Sequence, residues 1–173
     1  METVGADAVV PPRPTWRAKA RLLRARRRPR VVLQAGVLIG RDVVVRAERG
    51  ARVVIETGAA LGDGARIEAR GGELRVGAGS VVGEHAMLAG ALTIGRECVI
   101  GAWARAEGDA HVEDRARLAA HAVALAGARV GAGAVVASYA VVDEEVSPRA
   151  VVRNLNLDNP APRRQTRAPR SSS

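Results

Sequence analysis

The sequence contains no phenylalanine, one tyrosine and two tryptophans in 173 residues. Large rings usually supply much of the core of a globular domain, so their scarcity argues against a single thick core. The apolar residues are instead mainly Val, Ala, Leu and Ile, and 19 glycines accompany them. This composition indicates one domain made of many thin, similar layers.

Cysteine is also scarce, because Cys98 is the only one. A lone cysteine forms no disulfide within the chain, which fits a reducing compartment. The first residues lack the apolar core of a secretory signal, and no stretch is long and apolar enough to span a bilayer. We therefore expect a cytoplasmic protein.

Charge is distributed unevenly along the chain. Residues 1–30 carry nine basic and two acidic residues, and residues 160–173 carry four arginines and no acid. The net charges of these tails are +7 and +4, and residues 31–159 carry a net charge of −2, which together give the total of +9. The high pI therefore belongs to the tails, and specific nucleic-acid binding is not expected, since no stacking aromatics accompany the arginine run.

A strict six-residue repeat runs through the middle of the chain. It places an aliphatic or alanine residue at Val76, Val82, Leu88, Ile94, Ile100, Ala106, Val112, Leu118, Ala124, Val130, Val136 and Val142. The residue four places after each of these is mostly Ala, and Cys98 occupies one such position, which predicts a small buried side chain. Helices repeat near 3.6 residues and lone strands near two, so a period of six indicates short strands joined by tight corners.

The repeat also extends upstream in two sets of three. They are Leu33, Ile39, Val45 and Ile55, Leu61, Ile67. A spacing of ten residues separates the two sets, and a spacing of nine separates the second set from Val76. Each break contains glycine, which suits a small corner loop. The eighteen hexads predict about six triangular coils, in which residues 18 apart stack on one another.

The pattern divides the chain into three segments. Residues 31–152 are predicted to form the parallel β-helix. Residues 1–30 form a basic segment that either caps the first coil as a short helix or is disordered, and residues 13–30 have the charge for weak contact with an anionic membrane. Residues 153–173 are predicted to be a mostly disordered extension.

These hexads resemble the hexapeptide-repeat acyltransferase family. The segment "VGAGAVVASYAVVDEEVSPRAVV", with Asn159, Pro160 and Ala161 further on, is similar to the closing coil of that family. The resemblance implies an all-β, left-handed parallel β-helix that assembles as a homotrimer with its site between subunits. It also implies acetyl-CoA or another acyl-CoA as co-substrate, with no tightly bound cofactor, and a small sugar-like acceptor.

The segment "CVIGAWARAEGDAH" resembles the stretch of the family that ends in the general-base histidine, which makes His111 the catalytic candidate. A neutral imidazole takes the proton from a hydroxyl or amine as it attacks a thioester. The interpretation that His111 is an ordinary exposed residue stays open, because the family's loop after this histidine is missing.

The 18-residue spacing also predicts which residues lie next to His111 in the adjacent coils. The residues that close each hexad are expected at three corners, of which two are largely apolar and one is polar. The polar corner contains Thr93, His111, Arg129 and Ser147. Arg129 would meet a phosphate or carboxylate, while Thr93 and Asp109 would bind or orient the imidazole.

A second column consists of rings, which are spaced by 18 residues and are expected on one flat face. Its members are His85, Trp103, His121 and Tyr139. It would serve as an acceptor or adenine-stacking surface, as a contact with a neighbouring subunit, or as a chance exposure. A zinc site is not expected, since two coils separate His85 from His121, roughly 9.6 Å by strand spacing.

The competing hypothesis for the whole chain is a non-catalytic scaffold, such as a polymerising, bactofilin-like structural protein. The missing loop and the basic tails favour it. A metal-dependent hydratase is the third option, which stoichiometric zinc would reveal.

Overall fold

The computed structural model describes residues 30–153, and these residues form strands and turns without any helix. No helix capable of crossing a membrane is found in this range. The basic segment predicted for residues 1–30 and the extension predicted for residues 153–173 lie, apart from Arg30 and Arg153, outside the described residues. Capping and membrane contact therefore stay predictions.

Twenty short strands form three parallel sheets, which we name A, B and C. Sheet A contains β1 (Val31–Leu33), β4 (Arg52–Ile55), β7 (Glu73–Val76), β10 (Thr93–Ile94), β13 (His111–Val112), β16 (Arg129–Val130) and β19 (Glu145–Val146). Sheet B contains β2 (Leu38–Ile39), β5 (Ala60–Leu61), β8 (Val81–Val82), β11 (Val99–Ile100), β14 (Arg117–Leu118), β17 (Val135–Val136) and β20 (Val151–Val152). Sheet C contains β3 (Val44–Ala47), β6 (Arg66–Ala69), β9 (Met87–Gly90), β12 (Arg105–Gly108), β15 (Val123–Ala124) and β18 (Val141–Val142).

The chain visits sheets A, B and C in rotation, so each turn is one triangular coil of a left-handed parallel β-helix. The predicted fold is thus confirmed, with about seven turns instead of six. The difference arises because β19 and β20 continue the helix beyond Val142, the last residue of the six-residue series.

The core consists of one inward aliphatic side chain and one small side chain per hexad. Leu88, Ile94 and Ile100 are at most 1% exposed, and burying each such side chain contributes about 2–3 kcal/mol. Cys98 is fully buried, as predicted, and its Sγ lies 3.0 Å from the carbonyl oxygen of Glu113. Burial raises the pKa of the Cys98 thiol, so it packs as a small hydrophobe.

Coil length varies at only one edge of the prism within the described residues. Successive inward residues are six apart at every passage from sheet A to B and from B to C, which we call the A–B and B–C edges. At the C–A edge the spacing changes along the chain as ten, nine, six, six, six and four residues. The two wide passages are the glycine-containing corner loops predicted from the breaks in the repeat.

The turns at the A–B and B–C edges share one backbone conformation. The third residue of each turn adopts a left-handed conformation, with Gly36 at φ 71° and Trp103 at φ 61° as examples. This single reversal folds the chain through the corner in four residues. Its N–H donates to a carbonyl of the preceding coil, as Trp103 N does to Glu84 O at 2.9 Å.

Carboxylates at the turns tie neighbouring coils together. Asp114 Oδ1 accepts from the Arg96 N–H at 2.7 Å in the preceding coil. Glu113 Oε2 accepts from the Ala132 N–H at 2.9 Å in the following coil. Such bonds satisfy turn N–H groups that the strand ladders leave over.

Glu56 makes the most buried of these ties, and we predict that it makes stability depend on acid pH. Its carboxylate accepts from the Arg75 guanidinium and, at 3.0 Å, from the Ala78 N–H. These bonds lower the pKa of Glu56 below 4.5, although burial acts in the opposite direction. The stabilisation is complete above the unfolded pKa and is lost as pH falls through the lower folded pKa.

Glu56→Gln should therefore lower the free energy of unfolding by about 1–2 kcal/mol at pH 7 and by clearly less at pH 3. Urea unfolding at the two pH values measures both quantities. Glu97→Gln, in an exposed turn of the same edge, is the matched control and should change neither value. A wild-type advantage that is equal at both pH values would contradict the assignment.

Candidate functional site

The candidate site is a polar column on the outer face of sheet A. Parallel pairing places Thr93 opposite His111 and His111 opposite Arg129, so the predicted stacking is confirmed. Each residue opens a two-residue strand whose second residue points into the core. The column therefore lies on the face of a sheet and not at the predicted corner, because alternate strand residues face opposite sides.

The fourth predicted member of the column is wrong. Glu145, and not Ser147, pairs with Arg129, because the last C–A spacing is four residues whereas the three before it are six. Arg75 precedes Thr93 in the same register. The outer face of sheet A accordingly presents an imidazole flanked by a hydroxyl and a guanidinium, with a carboxylate beyond.

His111 itself is exposed, and its backbone is fixed by an N–H donated to Ala128 O at 2.8 Å. Within residues 30–153, no side chain bonds to the imidazole in this structure, so neither Thr93 nor Asp109 orients it through a hydrogen bond. Asp109 lies exposed in the turn that leads into β13. Arg129 occupies the adjacent strand, about 4.8 Å away, within reach of an anionic group bound beside the imidazole.

The ring column forms a continuous stack, which we call the ring ladder. Ring centroids lie 4.4 Å apart for His85–Trp103, 6.3 Å for Trp103–His121 and 4.7 Å for His121–Tyr139. All four residues adopt φ between 54° and 62°, which costs a non-glycine residue about 1 kcal/mol or more each. They therefore occupy the B–C edge, where this backbone conformation closes each turn, and not the flat face predicted for them.

The geometry of the ring ladder limits what it can bind. Neighbouring rings are close to parallel, with interplanar angles of 23°, 4° and 5°, so the ring edges form much of the surface along the stack. Trp103 is nonetheless 53% exposed, an unusual position for a tryptophan. A flat adenine would have to separate neighbouring rings to enter the stack, so the geometry favours edge-on contact, as with a neighbouring subunit.

The ring ladder and His111 do not share a surface within one chain. In a three-sided prism the B–C edge lies opposite sheet A, so the core separates Trp103 from the column of His111. The sequence made His111 the catalytic candidate, and contact with substrate was one of three interpretations of the rings. They meet at one ligand only if two copies of the chain contribute to it.

An open groove on sheet C reaches the C–A edge and was not found from the sequence. It encloses about 530 Å³, with Met87 and Ala89 at its floor and Arg105 and Glu107 on the next strand. It lies where the C–A spacing drops from nine residues to six, so the long corner before it, which begins at Arg70, forms one wall. That drop was visible in the sequence and was the signal that could have located the groove.

No metal centre is evident in the described part of the chain, since no three His, Cys, Asp or Glu side chains converge there. His85 and His121 are separated by the ring of Trp103.

Comparison with protein-family models and with curated proteins finds no match to this chain. Solved structures do match it in fold. A provisionally named acetyltransferase from Bacillus cereus is 14% identical, with a TM-score of 0.51, and the match covers 70% of this chain and 71% of that one. The similarity shows a shared parallel β-helix.

Two further structures are more distant in shape. A perosamine N-acetyltransferase from Caulobacter crescentus, in complex with CoA and GDP-perosamine, is 21% identical over 71% of this chain, with a TM-score of 0.44. This chain spans half of that protein's length. A UDP-N-acetylglucosamine acyltransferase from Campylobacter jejuni is 16% identical over 72% of this chain and 69% of its own, with a TM-score of 0.33.

Proposed function

We propose that this protein is an acyltransferase that moves an acyl group, most simply acetyl, from acyl-CoA to a hydroxyl or amine of a sugar-like acceptor. The observation that carries the proposal is the exposed imidazole of His111, held mid-sheet between Thr93 and Arg129. The shared fold with a protein named as an acetyltransferase supports it. Acetyl-CoA acts as co-substrate, and no tightly bound cofactor is needed.

The chemistry requires one group that exchanges a proton near neutral pH. The hydroxyl oxygen or amine nitrogen of the sugar-like substrate attacks the thioester carbon, and the imidazole of His111 takes the proton from that atom. The C–S bond then breaks, and the imidazolium returns the proton to the departing thiolate of CoA. Arg129 would hold an anionic group of a substrate next to the reacting atoms.

Assembly is included in the proposal. We expect a homotrimer, since the outer column of sheet B is largely apolar and the ring ladder borders it. We also expect a cytoplasmic location, because the single cysteine fits a reducing compartment. Val81 and Val151 in that column are 43% and 57% exposed, and such surfaces commonly pack against another subunit. Thr93, Asp109 and Arg129 stay candidates for binding acceptor or acyl-CoA beside His111, and the ring ladder for contact with a neighbouring copy.

The test is turnover by the purified full chain with acetyl-CoA and a panel of free and nucleotide-linked amino sugars. Release of free thiol that depends on both substrates is the expected result. No acceptor-dependent thiol release across the panel, with acetyl-CoA and with longer acyl-CoAs, would contradict the proposal.

A scaffold is the second candidate, and one observation favours it. The hexads continue from Val112 without a loop, so nothing in the described coils of sheet A encloses an acceptor beside His111. A polymerising, bactofilin-like protein would form filaments that lengthen with concentration, whereas the enzyme should elute as one discrete trimer. Light scattering coupled to size exclusion distinguishes the two.

A further inference from the structure

The groove on sheet C arises from differences in the lengths of the strands and corners around it. Strands β6, β9 and β12 are each four residues long, so sheet C presents two outward residues per strand here. Further along, β15 has only two residues. The long strands and the wide corner below them enclose a hollow that a uniform hexad coil would lack.

The floor of this groove is apolar and shallow. Met87 and Ala89 are half-buried outward residues of β9, and Ala91 follows them at the edge. Gly90 lies between them with φ 127°, and a side chain added there would come within 2.1 Å of the Gly108 carbonyl oxygen. The two coils therefore approach each other too closely at this point to admit a side chain.

An ion pair, which contains a hydrogen-bond donor and an acceptor, lies beside that floor. Arg105 and Glu107 are alternate residues of β12, and their side chains form an ion pair of 2.6 Å. Parallel register places Arg105 next to Met87 and Glu107 next to Ala89. A ligand on the apolar floor thus has a guanidinium and a carboxylate along one side.

The opposite wall is also charge-balanced. Arg70 pairs with Glu68 at 2.7 Å and with Glu48 at 3.3 Å. Around the groove each guanidinium already has a carboxylate partner, so the site offers no unneutralised positive charge for a strongly anionic ligand. Neutral hydroxyls, or an amine next to a carboxylate, suit it better.

The groove also leads to His111. Its lining residue Gly108 is three residues before His111, and Ala91 is two residues before Thr93, so the groove and the polar column lie on the two sides of the same C–A edge.

We propose that the groove over Met87, flanked by the Arg105–Glu107 pair, binds the sugar unit of the acceptor as a pyranose that is neutral or carries an amine. This inference rests on the proposed transferase function for the role of the sugar but not for its binding. The C–H face of a pyranose covers an apolar floor, while its adjacent hydroxyls donate to a carboxylate and accept from a guanidinium. The amine or hydroxyl beyond the ring then extends over the edge toward His111.

The chain offers a direct probe, because Met87 and Met1 are its only methionines. In protein labelled with ¹³C at the methionine methyl groups, we expect glucosamine to shift the Met87 signal in a saturable way. Met1 serves as the internal reference. Ethanolamine, which has the amine and hydroxyl without the ring, should leave Met87 unchanged at equal concentration.

Variants locate the binding. Glu107→Gln and Arg105→Ala should each weaken the glucosamine dependence of the Met87 shift by about tenfold or more, the loss expected for a hydrogen bond to a charged group. Arg149→Ala, which removes an exposed guanidinium from a turn of the A–B edge on the other side of the prism from the groove, should leave it unaltered. Circular dichroism of each variant checks that the coil is intact.

The outcomes separate this inference from the transferase proposal. Thiol release that saturates with glucosamine while Met87 does not shift would overturn the groove assignment and leave the transferase standing. A saturable Met87 shift without thiol release from any acyl-CoA would support the groove and count against the transferase. A shift that persists undiminished in both Glu107→Gln and Arg105→Ala would overturn the groove assignment as well.

Discussion

His111→Ala should reduce kcat/KM for acyl transfer by at least about 10²-fold, and by up to about 10⁴-fold, because the proposed reaction depends on this imidazole as its base. His111 is exposed and its side chain makes no hydrogen bond within residues 30–153, so its removal should barely change stability. Free thiol, followed under conditions where wild-type turnover is linear, measures the effect. Thermal unfolding of the variant should match the wild type.

Two companion variants make this result specific. His111→Gln keeps a polar side chain of similar reach but lacks a base, so it should be as inactive as the alanine variant. Arg149→Ala removes a charge from an exposed turn of the A–B edge, two coils beyond His111, and should retain full activity. Undiminished turnover in His111→Ala would remove His111 from its role and leave the scaffold as the better interpretation.

The largest effect on stability is expected from one added methyl group at Gly90. The Cβ of an alanine there would lie 2.1 Å from the carbonyl oxygen of Gly108, and the backbone φ of 127° disfavours any side chain. The coils above and below cannot separate without breaking their strand ladders. We expect Gly90→Ala to lower the free energy of unfolding by about 3–5 kcal/mol.

Gly71→Ala is the control for backbone conformation alone. Gly71 also has a positive φ, of 70°, but an added Cβ there would contact nothing within 4 Å. That variant should lose only about 1 kcal/mol. Urea unfolding of the two variants measures the difference, and equal losses would show that the close approach of Gly90 to Gly108 does not limit stacking.

The repeat made most of the fold predictable because its period is enforced by covalent geometry. Every passage through the A–B and B–C edges takes six residues, and the C–A passages that precede His111 and Arg129 also take six, so the stacking of these residues on Thr93 follows from counting. Counting gave the wrong residue after Val142. The chain reaches Val146 in four residues instead of six, so Glu145 and not Ser147 lies next to Arg129. Valine fits either the aliphatic or the small position, so composition did not reveal the change of register.

The local environment of the site was less predictable. The four rings are aligned as the spacing indicated, but their placement on an edge depends on backbone φ values that a spacing does not specify. The groove depends on strand length and on which residues of β12 pair with Met87 and Ala89, and both are consequences of tertiary packing. Chemistry-bearing residues such as Arg105 and Glu107 therefore had no distinguishing pattern in the sequence.

The confinement of length variation to the C–A edge has a practical consequence. An insertion at either of the other two edges would break the hexad that every neighbouring coil requires. The C–A edge already accommodates passages from four to ten residues, so it behaves as a natural graft point, at which foreign peptides could be displayed without altering the coils. A ladder of binding loops added there would line up along a single seam, at the repeat distance of the strands.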